Sequence, residues 1–111
     1  MEVSQTRKEK GAIIVSVKGR MDTVTAPDFE KQLSGWIDGG ELIFIIDLSG
    51  LDYISSAGLR SVLVLTKKVK AKGGRLMLSS LQEPVKEVFE ISGFSTIIPI
   101  RDSTNDALQE L

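Results

Sequence analysis

Two adjacent hydroxyl groups, those of Ser55 and Ser56, are the side chains best suited to chemistry in this sequence. They separate an apolar segment from residues with helical spacing, so either serine can cap the start of a helix. A hydroxyl at this place also suits phosphorylation, because the free N–H groups and the dipole of a helix N-terminus stabilise an anion. A phosphate would add about 1.5 to 2 negative charges to a nearly neutral surface. Capping and phosphorylation are therefore compatible interpretations of Ser56.

The same serines fit nucleophilic catalysis poorly. Neither is centred in a Gly-x-Ser-x-Gly motif, and the chain has no histidine that could act as the base. A small hydrolase that uses Ser56 with a lysine base is an alternative without a supporting motif. We therefore expect a protein that is not an enzyme.

Three aspartates, Asp22, Asp47 and Asp52, could be imagined as a carboxylate group for a metal ion. Their spacing matches no known cation-binding loop. Aspartates at turns and strand ends commonly accept hydrogen bonds from the local backbone, which explains their positions more simply. We expect no bound metal and no cofactor.

The composition is that of an ordinary folded domain. The 111 residues are 41% hydrophobic and 26% charged, which favours one globular domain. The 14 basic and 15 acidic residues leave a net charge of −1, so the sequence predicts no nucleic-acid partner. The absence of cysteine fits a reducing compartment. No apolar leader follows Met1, and the longest apolar run, Leu42 to Ile46, is too short to cross a bilayer, which predicts a cytoplasmic location.

The first half of the chain alternates strand and helix signals. β-Branched residues from Ala12 to Val17 predict a strand, and Val3 to Thr6 can pair with it. Thr25 predicts a helix cap, and Asp28, three residues later, completes a capping box. The helix that follows carries one apolar stripe of Phe29, Leu33, Trp36 and Ile37.

The second half continues this alternation. Leu42 to Leu48 is apolar on both faces and predicts a central strand, followed by a short loop after Gly50. Further elements are a helix from the two serines to Gly73, a strand from Arg75 to Ser79, a helix from Pro84 to Gly93, a strand from Thr96 to Ile100 and a short helix capped by Ser103.

The predicted order is β, β, α, β, α, β, α, β, α. This order indicates an α/β fold with a mixed central sheet of about five strands, packed with about four helices. In such folds the loops that leave the carboxyl ends of strands are preferred places for ligand or partner contacts. Asp22 and Ser56 lie in two of these loops.

Four segments in order resemble a known family. The segment from Asp47 to Leu59, DLSGLDYISSAGL, resembles the central signature of the STAS domain of anti-sigma factor antagonists. Gly19 to Asp22 is similar to that family's second strand and following loop, Gly73 to Leu76 to its fourth-strand entry, and Pro84 to Phe94 to the next helix. The resemblance extends over nearly the whole chain and implies a single STAS domain over residues 1–111.

The resemblance implies a bacterial partner-switching regulator of transcription. In that family the unphosphorylated antagonist binds an anti-sigma factor that is also a serine kinase, which frees a sigma factor. The kinase phosphorylates the antagonist with ATP, the antagonist then dissociates, and a PP2C-type phosphatase reverses the modification. Nothing in the sequence requires more than a monomer, and we expect no direct membrane contact. The alternative to a partner-switching regulator within this family is a STAS subunit of a membrane transport complex, in which the serine would be structural.

The motif assigns the phosphoacceptor to Ser56, two residues before Gly58. Many antagonists carry aspartate directly before the acceptor, whereas this chain has Ser55, which makes Ser55 the rival acceptor. The residues implied in partner binding are Asp22, Thr23, Ser55, Ala57, Gly58 and Leu59. A phosphate near Asp22 would create like-charge repulsion at the partner interface, which is a route to release.

Overall fold

One five-stranded sheet organises the molecule in the computed structural model, which describes residues 1–111. The strands lie in the order β1-β2-β3-β4-β5. They span Glu2–Glu9 (β1), Ala12–Met21 (β2), Ile43–Ile54 (β3), Arg75–Ser79 (β4) and Ile100–Arg101 (β5). β1 pairs antiparallel with β2, and the remaining neighbours are parallel. The predicted mixed sheet and the central place of the third strand are confirmed.

Four α-helices connect or follow the parallel strands. They span Ala26–Asp38 (α1), Ser56–Ala71 (α2), Glu83–Ile91 (α3) and Thr104–Leu108 (α4), and a short 3₁₀ helix covers Phe94–Thr96. Three helices begin where the sequence predicts: Pro27 and Pro84 lie in the first turns of α1 and α3, and Ser103 caps α4. The α/β class and the number of helices agree with the sequence.

The two faces of the sheet are covered unequally. Alternate strand residues such as Ile13, Phe44 and Leu76 face a core of 22 buried residues, to which α1, α2 and α3 contribute their apolar stripes. On the other face, six buried residues form a smaller cluster around α4: Ala12, Ile14, Ile45, Met77, Ala107 and Leu108. Because both faces are covered, the central strands are apolar along most of their length.

Helices α1 and α2 lie side by side on the larger core. Lys68 of α2 pairs with Asp38 of α1 at 2.9 Å and also donates a hydrogen bond to Ser34. The Lys68 side chain lowers the pKa of the Asp38 carboxyl, chiefly through its hydrogen bond. This contact joins the two helices near the C-terminal end of α1.

The third strand is longer than predicted. The sequence suggests a loop after Gly50, but β3 continues to Ile54. Tyr53 pairs with Arg20, and Ile54 pairs with Met21 at the end of the equally extended β2. The turn signal at Gly50 is overridden because the β2 ladder continues past it, with register shifts on either side. The extension places the β3–α2 junction directly beside the end of β2.

The predicted strand from Thr96 to Ile100 is wrong in its bounds. Thr96 belongs to the 3₁₀ helix, and only Ile100 and Arg101 pair with β4. Pro99 has no N–H to donate to a ladder, although its carbonyl accepts a hydrogen bond from the Leu78 N–H at 2.9 Å. The apolar residues before it are used for packing, since Ile98 is fully buried.

Candidate functional site

Ser55 is the residue that caps α2. Its backbone N–H donates to the Met21 carbonyl at 2.9 Å, which fixes it to the end of β2. Its hydroxyl accepts a hydrogen bond from the Gly58 N–H at 3.3 Å. The sequence left the choice of cap between Ser55 and Ser56 open, and the structure assigns it to Ser55.

Gly58 allows the start of α2 to approach the sheet closely. A Cβ at this position would lie 2.7 Å from Ile54 Cγ1, 3.0 Å from Met21 Cγ and 3.1 Å from the Met21 carbonyl oxygen. Such distances are shorter than van der Waals contact, so any side chain here would force the strands and the helix apart. Gly58 therefore sets the position of the first turn of α2.

Ser56 is the first residue of α2, and its side chain is exposed. The cap hydrogen bond uses the neighbouring Ser55 hydroxyl, and the Ser56 hydroxyl has no hydrogen-bond partner in the protein. The two adjacent serines thus have different environments. One hydroxyl holds the helix start, and the other is open to solvent.

Asp22 organises the loop between β2 and α1. Its Oδ1 atom accepts hydrogen bonds from the N–H groups of Val24 and Thr25, both at 3.0 Å. The Thr25 N–H is the main cause of a lowered pKa of the Asp22 carboxyl; loss of hydration opposes the shift, while Val24, the Thr25 hydroxyl and the charge of Arg20 favour it. The carboxylate is therefore occupied by its own turn, as the turn interpretation of this aspartate predicts.

The predicted capping box at the start of α1 is wrong. Thr25 does occupy the cap position, but its side chain makes no cap hydrogen bond. Its hydroxyl instead accepts from the Asp22 N–H and donates to the Arg20 carbonyl at 2.8 Å. The Asp28 carboxylate accepts from the Gln32 side-chain amide at 2.8 Å. The turn at Asp22 competes successfully for the threonine, because it offers both a donor and an acceptor.

A groove of about 410 Å³ opens between the N-terminal parts of α1 and α2. It is lined by Thr23, Ala26, Pro27 and Glu30 on one side and by Ser56, Ala57, Arg60 and Ser61 on the other. Its two charged residues, Glu30 and Arg60, are not among the site residues that the sequence predicts. The signal that could have found Arg60 is its spacing, since residues four apart on a helix are neighbours on one face.

The structure brings together some of the predicted site residues and separates others. Thr23, Ser56 and Ala57 line the groove. Asp22 and Ser55 do not line it and use their polar atoms to hold the two loops. Gly58 and Leu59 are buried beneath the first turn of α2, so they shape the surface without forming its exposed part.

The other two aspartates of the imagined carboxylate group have local partners. The Asp47 carboxylate accepts from the Ser49 N–H at 2.9 Å, and Asp52 lies 3.4 Å from the Gln82 side-chain amide. No three metal-ligating side chains come together anywhere in the structure. None of the helices is long and apolar enough to cross a membrane.

Comparison with known sequences finds close relatives of matching length. BtrV of Bordetella bronchiseptica, named as a candidate anti-sigma factor antagonist, is 42% identical over 90% of this chain and 86% of its own length. An anti-sigma F factor antagonist of Paenibacillus polymyxa is 30% identical over 92% of this chain and 88% of its own.

Solved structures share the fold at lower sequence identity. A candidate anti-sigma factor antagonist from Thermotoga maritima superposes with a TM-score of 0.89 at 22% identity, covering 94% of this chain and 90% of that one. The Bacillus cell fate determinant SpoIIAA in its phosphorylated form superposes with a TM-score of 0.72 at 19% identity, covering 98% of this chain and 96% of that one. The STAS domain of a Vibrio cholerae SulP transporter superposes with a TM-score of 0.72 at 15% identity, covering 93% of this chain and 82% of that one.

The family model for the STAS domain matches residues 4–107. This match and the sequence relatives confirm the resemblance seen in the four sequence segments. The chain belongs to the STAS domain family, among relatives named as anti-sigma factor antagonists.

Proposed function

We propose that this protein is an anti-sigma factor antagonist controlled by phosphorylation of Ser56. The unphosphorylated form binds an anti-sigma factor that is also a serine kinase, and the phosphorylated form releases it. The observation that carries the proposal is the exposed hydroxyl of Ser56 on the wall of the groove, beside a second serine already engaged as a helix cap. The names of the sequence relatives support the partner class.

The geometry favours Ser56 over its rival as the phosphoacceptor. Phosphorylation of Ser55 would place a bulky dianion where the hydroxyl accepts from the Gly58 N–H, in a half-buried position tied to Met21. The cap would have to open before a kinase could reach that oxygen. Ser56 is already accessible and needs no such opening.

Phosphorylation changes the charge of the docking surface. The kinase transfers the γ-phosphoryl group of ATP to the Ser56 oxygen, ADP leaves, and the serine proton passes to the kinase. The groove is lined by one acidic and one basic side chain, Glu30 and Arg60, and a phosphate adds about 1.5 to 2 negative charges. A partner surface that complements the neutral groove is then repelled. A PP2C-type phosphatase restores serine by hydrolysis, which releases inorganic phosphate.

The protein itself contributes a surface and no catalysis in this cycle. Thr23 and Ala57 line the same groove as Ser56 and form part of the contact area, while Asp22, Ser55, Gly58 and Leu59 hold its shape. Residues 1–111 act as one domain, monomeric and without a cofactor, in the cytoplasm, where the sigma factor and the kinase are found.

The direct test is phosphorylation with the serine kinase of the same organism. The protein, Ser56→Ala and Ser55→Ala are each incubated with kinase and ATP, and the phosphate is located by mass spectrometry. We expect modification of the wild type and of Ser55→Ala, and none of Ser56→Ala. Phosphate on neither serine would overturn the proposal and favour the alternative of a STAS subunit in a transport complex.

A binding experiment tests the switch itself. Ser56→Asp carries a negative charge and should bind the kinase more weakly than the wild type, whereas Ser56→Ala should bind it and resist regulation by ATP. Both are measured by calorimetry with the purified kinase. Equal affinity of both variants, before and after addition of ATP, would contradict a phosphorylation switch.

A further inference from the structure

Arg60 is an arginine without a partner in this protein. Of the other four, Arg7 pairs with Glu9, Arg75 and Arg101 pair with Glu110, and Arg20 stacks over Tyr53 at 4.2 Å. Arg60 is exposed, forms no ion pair and lies on the wall of the groove that contains Ser56. Its guanidinium is therefore available to an anion that arrives at this groove.

The position of Arg60 relative to Ser56 is that of a favourable helical pair. The two residues are four apart within α2, so they share one face of the helix. Helical side chains lean toward the N-terminus, which directs the long Arg60 side chain back toward Ser56. An anion placed N-terminal to a cation at this spacing is the better of the two orientations. A guanidinium can also donate two parallel hydrogen bonds to phosphate oxygens.

The charge on the opposite wall of the groove favours a phosphate that points along α2 toward Arg60. Glu30 of α1 is the other charged residue of the lining, and it would repel a dianion on Ser56. We propose that Arg60 is the intramolecular counter-ion of the phosphate on Ser56 and holds it along α2, away from Glu30. This inference rests on the proposed assignment of Ser56 as the phosphoacceptor. The phosphorylated surface then presents an ion pair between Arg60 and the phosphate rather than a free dianion.

The inference is tested on full-length protein in which phosphoserine is incorporated at position 56 during translation. The second ionisation of the phosphate is followed by ³¹P NMR as a function of pH. A neighbouring guanidinium stabilises the dianion, so we expect the second pKa of the phosphate to rise by about 0.2 to 0.4 unit in Arg60→Gln. Arg60→Lys keeps the positive charge but loses the planar guanidinium that donates two parallel hydrogen bonds. Its phosphate pKa should therefore lie between those of the wild type and Arg60→Gln.

Lys67→Gln is the matched control, because it removes one positive charge from an exposed position of the same helix. Its distance along the helix from Ser56 is about 16 Å, beyond the screening length at physiological salt, so the titration should not move. In 1 M salt the difference between wild type and Arg60→Gln should shrink.

An identical phosphate titration in the wild type and Arg60→Gln would overturn the inference. An equal shift in Lys67→Gln would also overturn it, since the effect would then come from net charge. The measurement needs no kinase, because the phosphate is incorporated during synthesis. Failure of the kinase to modify Ser56 would therefore contradict the proposed function, whereas failure of the titration would contradict only the role of Arg60.

Discussion

Helices α2 and α4 begin with the same local device and differ in what surrounds it. Ser55 accepts a hydrogen bond from the N–H three residues later, and Ser103 does the same at 3.0 Å. In both helices a second hydroxyl residue follows the cap. The Thr104 hydroxyl at α4 is hydrogen-bonded to the buried Ser79 at 2.9 Å, whereas the Ser56 hydroxyl at α2 is exposed on a groove.

The third residue after the cap differs as well. Gly58 in α2 is buried against the ends of two strands, whereas Asp106 at the same place in α4 is exposed. A serine cap is therefore not by itself the mark of a functional site. The free hydroxyl and the closely packed turn behind it distinguish α2, and both features depend on the neighbouring strands.

The largest expected effect concerns the second hydroxyl at α4. Thr104→Val leaves the fully buried Ser79 hydroxyl without its partner, which should lower the free energy of unfolding by about 2 kcal/mol. Ser56→Ala, the matched change in α2, should alter it by less than about 0.5 kcal/mol. Urea unfolding followed by the fluorescence of Trp36, the single tryptophan, measures both. Equal losses in the two variants would remove the distinction between these hydroxyls.

Gly58→Ala tests the close packing behind the site. Overpacking against Ile54 and Met21 opposes the better helix propensity of alanine, and we expect a net loss of about 1 to 2 kcal/mol. Asp106→Ala in the exposed first turn of α4 should cost about 0.5 kcal/mol through the helix dipole. Both free energies come from the same urea titration. A stabilised Gly58→Ala protein would show that the turn can relax away from the strands.

The Ser55 cap of α2 should contribute less to the free energy of unfolding than the Ser79–Thr104 hydrogen bond or the packing behind Gly58. Ser55→Ala removes the acceptor for the Gly58 N–H and should cost about 1 kcal/mol. The same variant should still be phosphorylated by the kinase, since the Ser56 hydroxyl does not depend on the cap for access. Unchanged stability together with lost phosphorylation would reverse the roles assigned to the two serines.

The smallest expected effect is a pH dependence at the Asp22 turn. Folding lowers the pKa of this carboxyl, so its contribution to stability is present above the unfolded-state pKa and lost as the pH falls through the folded value. Asp22→Asn keeps an acceptor oxygen but not the charge. The stability difference between wild type and Asp22→Asn should therefore be largest at pH 7 and decrease as the pH falls through the lowered, folded-state pKa of Asp22. A constant difference across this range would show that the charge has no role.

The order and type of the elements could be predicted from the sequence because they depend on short-range patterns. β-Branched runs, apolar stripes at helical spacing and the prolines and glycines at their ends were sufficient for β4, α1, α2 and α3. Prediction failed where a contact distant in sequence competed with a local signal. The loop expected after Gly50 is strand because β2 extends beside it, and Thr25 bonds to Arg20 and Asp22 instead of capping α1.

The same distinction between local patterns and distant contacts applies to the candidate site. The sequence by itself determined the family signature from Asp47 to Leu59, and with it the narrow choice between two adjacent serines. Only the tertiary structure decided that Ser55 is held as the cap and Ser56 is free, and that Glu30 and Arg60 share its groove. The physical reason is that local patterns determine which elements form. The state of one hydroxyl depends on partners such as the Met21 carbonyl, which only folding brings within hydrogen-bond distance.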